Sequence, residues 1–227
     1  MIWLSSFPRS GNTFFRNILF EVYGIPSGYY HLGKKKKLDS DFASFAVVKT
    51  HLLPHQLPKE YQSVASIYLI RDGRDACVSL AHHRKELKKI KKNYFLTLCE
   101  VILGIGGSFS GGWSRHVKEW GNSATIIIKY EDLIKDPIAQ VERLRSIMHL
   151  PEPQTEKLPT FQSQKKGLSQ YGNGDTTNAS IKKDEANKFY RRGIVGSYKD
   201  EMPILLQALF WLKHSKQMKA YEYYKNK

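Results

Sequence analysis

Ile2-Trp3-Leu4-Ser5-Ser6-Phe7-Pro8-Arg9-Ser10-Gly11-Asn12-Thr13-Phe14-Phe15 decides the fold. Ile2-Trp3-Leu4 is a short apolar run of the kind that forms a buried strand. The next residues are small or turn-forming, and they deliver the chain into a helix. Phe14, Phe15, Ile18, Leu19 and Val22 recur at helical spacing, and Gly24 and Pro26 stop the helix. A strand, a tight loop and a helix start therefore follow within 23 residues. The free N–H groups and positive dipole end of such a helix attract anions, and Arg9 adds a full charge beside them.

The nucleotide-triphosphatase loop reads G-x-x-x-x-G-K-[ST]. Here Gly11-Asn12-Thr13 stands where Gly-Lys-Thr belongs, and the cation has moved upstream to Arg9. A loop of this kind taken alone reads equally as a strand-helix turn with a surface arginine.

Three further apolar runs lie at residues 45–48, 66–70 and 124–128. They end in Lys49-Thr50-His51, Arg71-Asp72-Gly73-Arg74-Asp75 and Lys129-Tyr130-Glu131-Asp132. A helix is expected from about Ala76. Another follows the Asp136-Pro137 start signal, with Ile138, Val141, Leu144 and Met148 as its buried stripe. A last helix is expected over 203–224. Continuously apolar strands alternating with helices predict an α/β fold of three layers, a central and mostly parallel sheet flanked by helices. Ligands in such sheets sit beyond the C-terminal strand ends, where Arg9, His51, Arg71 and Tyr130 gather. Residues 27–44 and 162–188 read as long polar loops. Residues 85–120, basic, then apolar, then glycine-rich (Gly104, Gly106, Gly107, Gly111, Gly112), read either as a mobile lid or as a loosely joined helix pair.

The 227 residues suit one domain over 1–227, with 41% hydrophobic and 25% charged residues. The net charge of +15 favours anionic ligands, although scattered lysines, including those at 34–37, account for part of it. Two cysteines, Cys77 and Cys99, fit a reducing compartment, and no leader or spanning segment is read, so a cytoplasmic location is expected. Asn178-Ala179-Ser180 is a glycosylation sequon that a cytoplasmic chain leaves unmodified. His82-His83 and His51-x-x-x-His55 are the nearest approach to a metal pattern, and no metal site is expected.

Taken in order, these segments resemble the sulfotransferase family that uses 3′-phosphoadenosine 5′-phosphosulfate (PAPS). Phe7-Pro8-Arg9-Ser10-Gly11-Asn12-Thr13-Phe14 is similar to its 5′-phosphosulfate loop. Lys49-Thr50-His51-Leu52 resembles the segment with its catalytic histidine. Tyr68-Leu69-Ile70-Arg71-Asp72 with Ser79 resembles its 3′-phosphate segment. Tyr130-Glu131-Asp132-Leu133 is similar to a segment near the adenine, and Arg191-Arg192-Gly193 with Gly196 to the C-terminal phosphate loop. Gly112-Trp113, His116-Val117 and Trp120 add to the likeness, which covers about residues 2–200.

The resemblance implies PAPS as donor, 3′,5′-bisphosphoadenosine (PAP) as product, and no metal. It implies in-line transfer to a hydroxyl or amine of a small molecule or glycan. His51 would be the base. Arg9 with the amides of Ser10, Gly11, Asn12 and Thr13 would hold the 5′ end, with Lys49 assisting or remaining a surface cation. Arg71, Ser79, Arg191 and Arg192 would clamp the 3′-phosphate, and Gly193 would let the backbone approach. Phe14 and Phe161 would sandwich the adenine, unless Phe14 is core. The chain departs from the pattern in three places. Cytosolic members often carry Lys at the position of Arg9 and Asp-Trp at that of Ser197-Tyr198, and the family's short C-terminal dimerisation motif has no match here.

Two other readings stand beside this one. A kinase-like phosphotransferase with ATP and magnesium would use Asp72 or Glu131 as the metal carboxylate, against the displaced cation. A polyanion or nucleic-acid binder would rest on charge alone, without need of four organised strand ends. Neither a nucleic acid nor a membrane span is expected.

Overall fold

The computed structural model describes residues 1–31, 42–87, 89–105, 111–172 and 179–224. The lysines at 34–37, Gly106 and Gly107 of the glycine-rich stretch read as a lid or a loosely joined helix pair, Asn173-Gly174-Asp175 and Asn178 lie outside the described residues.

Five strands form one sheet, β1 (Ile2–Ser6), β2 (Ser27–Tyr29), β3 (Val47–Thr50), β4 (Ser66–Ile70) and β5 (Ile126–Lys129), in the order β2-β3-β1-β4-β5. Every neighbouring pair is parallel, with Trp3 opposite Val48 and Ser66, and Ile67 opposite Ile126. The three-layer α/β expectation holds. The sequence reading expected four strands; β2 is the fifth, inside the stretch read as polar loop. It is three residues long and lies at the sheet edge, so it carries no apolar run to betray it.

The strand pleat sorts side chains onto two faces. Ile2, Leu4, Ile67, Leu69, Ile126 and Ile128 face one cluster, shared with α1 (Asn12–Tyr23) and α6 (Pro137–Glu142). Trp3, Val48, Tyr68 and Ile70 face the other. That second cluster is filled by α2 (Gly73–Glu86), α3 (Tyr94–Leu103), α4 (Trp113–Ser123) and α10 (Ile204–Ala220).

In α1, Phe15, Ile18, Leu19 and Val22 are fully buried at the expected spacing. Gly24 ends that helix in the left-handed region (φ 67°), its N–H bonded to the Phe20 carbonyl. Asp136 caps α6 through the Ala139 N–H, with Pro137 in the first turn, as expected; the helix then tightens into a 3-10 turn at Arg143–Ser146.

After β5 come α5 (Tyr130–Lys135) and then α6. The segment 162–188 is not one loop: it holds the end of α7 (Phe161–Lys165) and most of α8 (Ala179–Phe189), followed by α9 (Tyr198–Glu201). Residues 85–120 contain a helix pair, α3 and α4, with Gly104 in the left-handed region at the end of α3. No helix among the described residues is long and apolar enough to cross a membrane.

Candidate active site

Strand order reverses at β1, because β3 lies on one side and β4 on the other. Loops leaving a sheet at such a point diverge and open a crevice. A cavity of about 990 Å³ lies there. It is lined by Arg9, Gly11, Asn12, Thr13 and Phe14 from the first loop, and by His51 and Lys49 from the end of β3. Arg71 follows the end of β4 and Ser79 lies on α2, Tyr130 opens α5 just after β5, Phe161 comes from α7, and Arg191, Arg192 and Gly193 from the C-terminal segment. Of the residues singled out from the sequence, only Ser10 is absent from the wall; it is fully buried behind it.

The first loop is built for close approach. Gly11 has φ 94°, and a Cβ there would come within 2.5 Å of the Tyr130 ring, so any side chain meets both strain and a clash. Phe15 N–H makes the first intrahelical bond, to the Gly11 carbonyl at 3.0 Å. The amides of Asn12, Thr13 and Phe14 precede it, and no side chain caps the helix. The Asn12 side chain turns inward to Ser6 Oγ (3.1 Å), so its amide N–H, not its side chain, is what it offers an anion.

Arg9 also sits at a positive φ, 72°, a strain of about 1–2 kcal/mol for a non-glycine residue. Its guanidinium lies 3.9 Å over the Phe189 ring and donates to Ser79 Oγ (3.2 Å) and to the Phe189 carbonyl. Burial, reinforced by Arg71, pushes its pKa down to about 10.

His51 has a defined tautomer. Its Nδ1 is 2.7 Å from the Ser6 carbonyl, and a carbonyl only accepts, so Nδ1 carries the hydrogen and Nε2 is free to take a proton. Burial first, then the Lys49 charge, His116 and His31, hold its pKa well below the ordinary histidine value. His116 donates from Nε2 to the His51 carbonyl (3.3 Å) and accepts the Tyr68 hydroxyl hydrogen at Nδ1 (2.9 Å). Burial pushes the His116 pKa down to about 3, which keeps that arrangement neutral. Lys49 stands 4.7 Å over the Tyr29 ring.

Arg71, Arg191 and Arg192 also reach the cavity but are engaged internally. Arg71 donates to the carbonyls of Arg9 (3.2 Å) and Ile194 (3.1 Å) and stacks 4.4 Å over Tyr130. Arg191 pairs with Glu201, and Arg192 with Asp200 at 3.2 Å and Glu201 at 3.6 Å. Phe161 packs on Gly193, where a Cβ would come within 2.3 Å of its ring.

Asp75 and Asn17 were missed. The fully buried Asp75 carboxylate accepts from the N–H groups of Gly196 (2.7 Å) and Tyr198 (2.9 Å) and from Ser197 Oγ (3.2 Å). Asn17, fully buried on α1, binds Gln164, Tyr171 and the Tyr190 hydroxyl. Together they fasten the C-terminal segment to the front of the sheet. A buried amide on an apolar helix face owes itself hydrogen bonds, and that was the available signal for Asn17. Asp75→Ala is expected to cost roughly 3–5 kcal/mol in urea unfolding, because its donors stay buried and Arg71, 3.7 Å away, loses its counter-charge.

The carboxylates that a metal-dependent phosphotransferase would need are committed elsewhere. Asp72 accepts from Arg74 through both oxygens, and Glu131 accepts from the Asp72 N–H (3.1 Å) and the Tyr223 hydroxyl (3.0 Å).

A family model described as sulfotransferase domain matches residues 21–219. The chain belongs to the sulfotransferase domain family. Among its relatives, Sulfotransferase 1A1 of Bos taurus is 24% identical across 95% of this chain and 82% of that protein. Sulfotransferase 1E1 of Homo sapiens is 26% identical across 95% and 83%. In structure the chain is similar to mouse sulfotransferase SULT7A1 complexed with PAP, with a TM-score of 0.72 at 19% identity over 96% of this chain and 83% of that one. It is also similar to retinol dehydratase in complex with androsterone and inactive cofactor PAP, at 0.67 and 19%, over 96% and 80%. These neighbours share the sulfotransferase fold. The family match begins inside α1, so the first loop of this sulfotransferase is read from its own geometry.

Proposed function

We propose that this sulfotransferase moves a sulfuryl group from PAPS to a hydroxyl or amine of a small molecule or glycan, with His51 as general base. One observation carries the reading: an imidazole with Nε2 free lines the same cavity as Arg9 and the uncapped start of α1. The donor fits the residues present. The amides of Asn12, Thr13 and Phe14 at the start of α1 precede the first intrahelical bond and meet no side-chain cap, as a cradle for an oxyanion requires. The solved neighbours whose descriptions name PAP support the same donor.

PAPS supplies an activated sulfuryl group on a phosphate leaving group. His51 Nε2 takes the proton from the acceptor oxygen as that oxygen forms its bond to sulfur. The bond from sulfur to the phosphate oxygen breaks in line, and the electron pair stays on the departing phosphate. Arg9, the amides of Asn12 and Thr13, the Thr13 hydroxyl and Lys49 meet the charge that develops there. Arg71, Ser79, Arg191 and Arg192 receive the 3′-phosphate, whose oxygens replace Glu201 and Asp200 as partners of the last two. Tyr130, Phe14 and Phe161 line the adenine end. The reading takes 1–227 as one sulfotransferase-like domain acting in the cytoplasm; both described cysteines are free thiols, which supports that location.

The experiment is transfer of labelled sulfuryl from PAPS to an acceptor panel. Labelled product is expected without added magnesium. Magnesium-dependent transfer of the γ-phosphoryl group of labelled ATP to the same panel, with no sulfuryl transfer, would overturn the reading in favour of a phosphotransferase.

A further inference from the structure

Arg71 and Tyr130 line the cavity, with the guanidinium 4.4 Å over the phenol ring. The next residue of each, Asp72 and Glu131, is not part of the wall. These two belong to a circuit of hydrogen bonds that the transfer steps do not use. Glu131 Oε1 accepts from the Asp72 N–H at 3.1 Å. Asp72 Oδ1 and Oδ2 accept from Arg74 Nε (3.0 Å) and Nη2 (2.6 Å). Arg74 Nη2 also donates to the Tyr223 carbonyl (3.1 Å), and the Tyr223 hydroxyl donates to Glu131 Oε2 (3.0 Å). The circuit thus closes on one residue from the far end of the chain. Asp72, Arg74 and Tyr223 are all buried, where a satisfied polar network holds its members rigidly.

The turn after α10 is shaped for this contact. Glu222 takes φ 63°, a left-handed value that usually falls to glycine. The Tyr223 N–H then bonds back to the Met218 carbonyl at 2.9 Å, and the Tyr223 ring lies by the end of β5, 5.7 Å from Lys129 Nζ. A non-glycine residue held at positive φ points to a constraint beyond the turn itself. Burial raises the Glu131 pKa, while the bonds from Asp72 and Tyr223 and the charge of Arg71 work against that rise. Glu131 and Arg71 therefore feel each other. With Tyr223 in place, both Glu131 oxygens are occupied. A freed carboxylate oxygen there would compete with a phosphate for the Arg71 guanidinium, because both anions fit the same planar donors.

We propose that Tyr223 is a positioning residue for the 3′-phosphate: by occupying Glu131 and closing the circuit, it keeps Arg71 in the cavity wall, set against Tyr130. This rests on the sulfotransferase reading above, in which Arg71 receives that phosphate. The test is calorimetric titration of PAP and of AMP on the unaltered enzyme and on Tyr223→Phe, which removes one oxygen and keeps the aromatic ring. The PAP-to-AMP affinity ratio is expected to fall roughly tenfold, the worth of one charge-assisted bond, with AMP affinity unchanged. KM for PAPS rises with it, and kcat at saturating PAPS holds. A tyrosine that only braces the fold gives another pattern, lower stability in urea with the ratio intact. Adding Glu131→Gln to Tyr223→Phe replaces the freed carboxylate with a neutral amide and returns the ratio toward its unaltered value. Tyr221→Phe takes a hydroxyl from the same turn, where it lies over Gly121 and outside the circuit, and leaves the ratio in place. A ratio unmoved by Tyr223→Phe, lowered equally by Tyr221→Phe, or still low in the double variant would overturn the proposal while the sulfotransferase reading stands. Should the unaltered enzyme bind PAP and AMP equally, that reading falls and the proposal with it.

Discussion

His51→Ala is expected to lower kcat by about 10²–10⁴-fold, the usual loss when a positioned general base is removed. The imidazole is held through Nδ1 by the Ser6 carbonyl at 2.7 Å, and alanine supplies neither proton acceptor nor contact. The pH profile gives a second readout. A base works only when neutral, so activity falls as pH drops through its pKa. Burial and the Lys49 charge hold that pKa well below the ordinary value of 6.5. The acid limb of kcat/KM is therefore expected below pH 6.5. Lys49→Gln removes one of the depressing charges and moves the limb upward. A limb at or above 6.5 in the unaltered enzyme, or full activity in His51→Ala, would remove His51 from this role.

The second large effect is at Arg9. Arg9→Ala is expected to reduce kcat at saturating PAPS by about 10²–10³-fold, the range seen when one donor to a developing oxyanion is lost. Two features make the site sensitive. The guanidinium is buried, so its charge acts in a medium that screens it weakly. It also stacks on Phe189 and donates to that residue's carbonyl, so its loss loosens the C-terminal segment that carries Arg191 and Arg192. Arg9→Lys keeps the charge without the planar fork and is expected to retain more activity than Arg9→Ala. Equal rates for Arg9→Ala and the unaltered enzyme would separate the first loop from the chemistry.

Much of the architecture was legible because its signals are local. Ile2-Trp3-Leu4 and Ser66–Ile70 are short apolar runs, and α1 shows its buried stripe within twelve residues. Segments with polar sequences stayed hidden. β2 is Ser27–Tyr29, a strand made by pairing with β3 rather than by its own residues. α8 reads Ala-Ser-Ile-Lys-Lys-Asp-Glu-Ala-Asn-Lys-Phe, with too few apolar residues to declare a periodicity. The same division applies to the site. Arg9, His51 and Arg71 follow directly from strand ends. Asp75 and Asn17 act on partners 121 and 154 residues away, and such contacts exist only once the chain is folded. Arg191 and Arg192 were recognised in the sequence, but their pairing with Glu201 and Asp200 depends on the turn at Ser197 and on α9.

On the proposed function the cavity receives an adenylate carrying phosphate at both its 5′ and 3′ positions. Calorimetric titration of PAP against AMP on the same preparation tests it most directly, since the two ligands differ only in the 3′-phosphate. Charge-assisted bonds from Arg71, Arg191 and Arg192 are expected to make PAP bind about 100-fold or more tightly than AMP. Equal affinities for the two nucleotides would contradict the account.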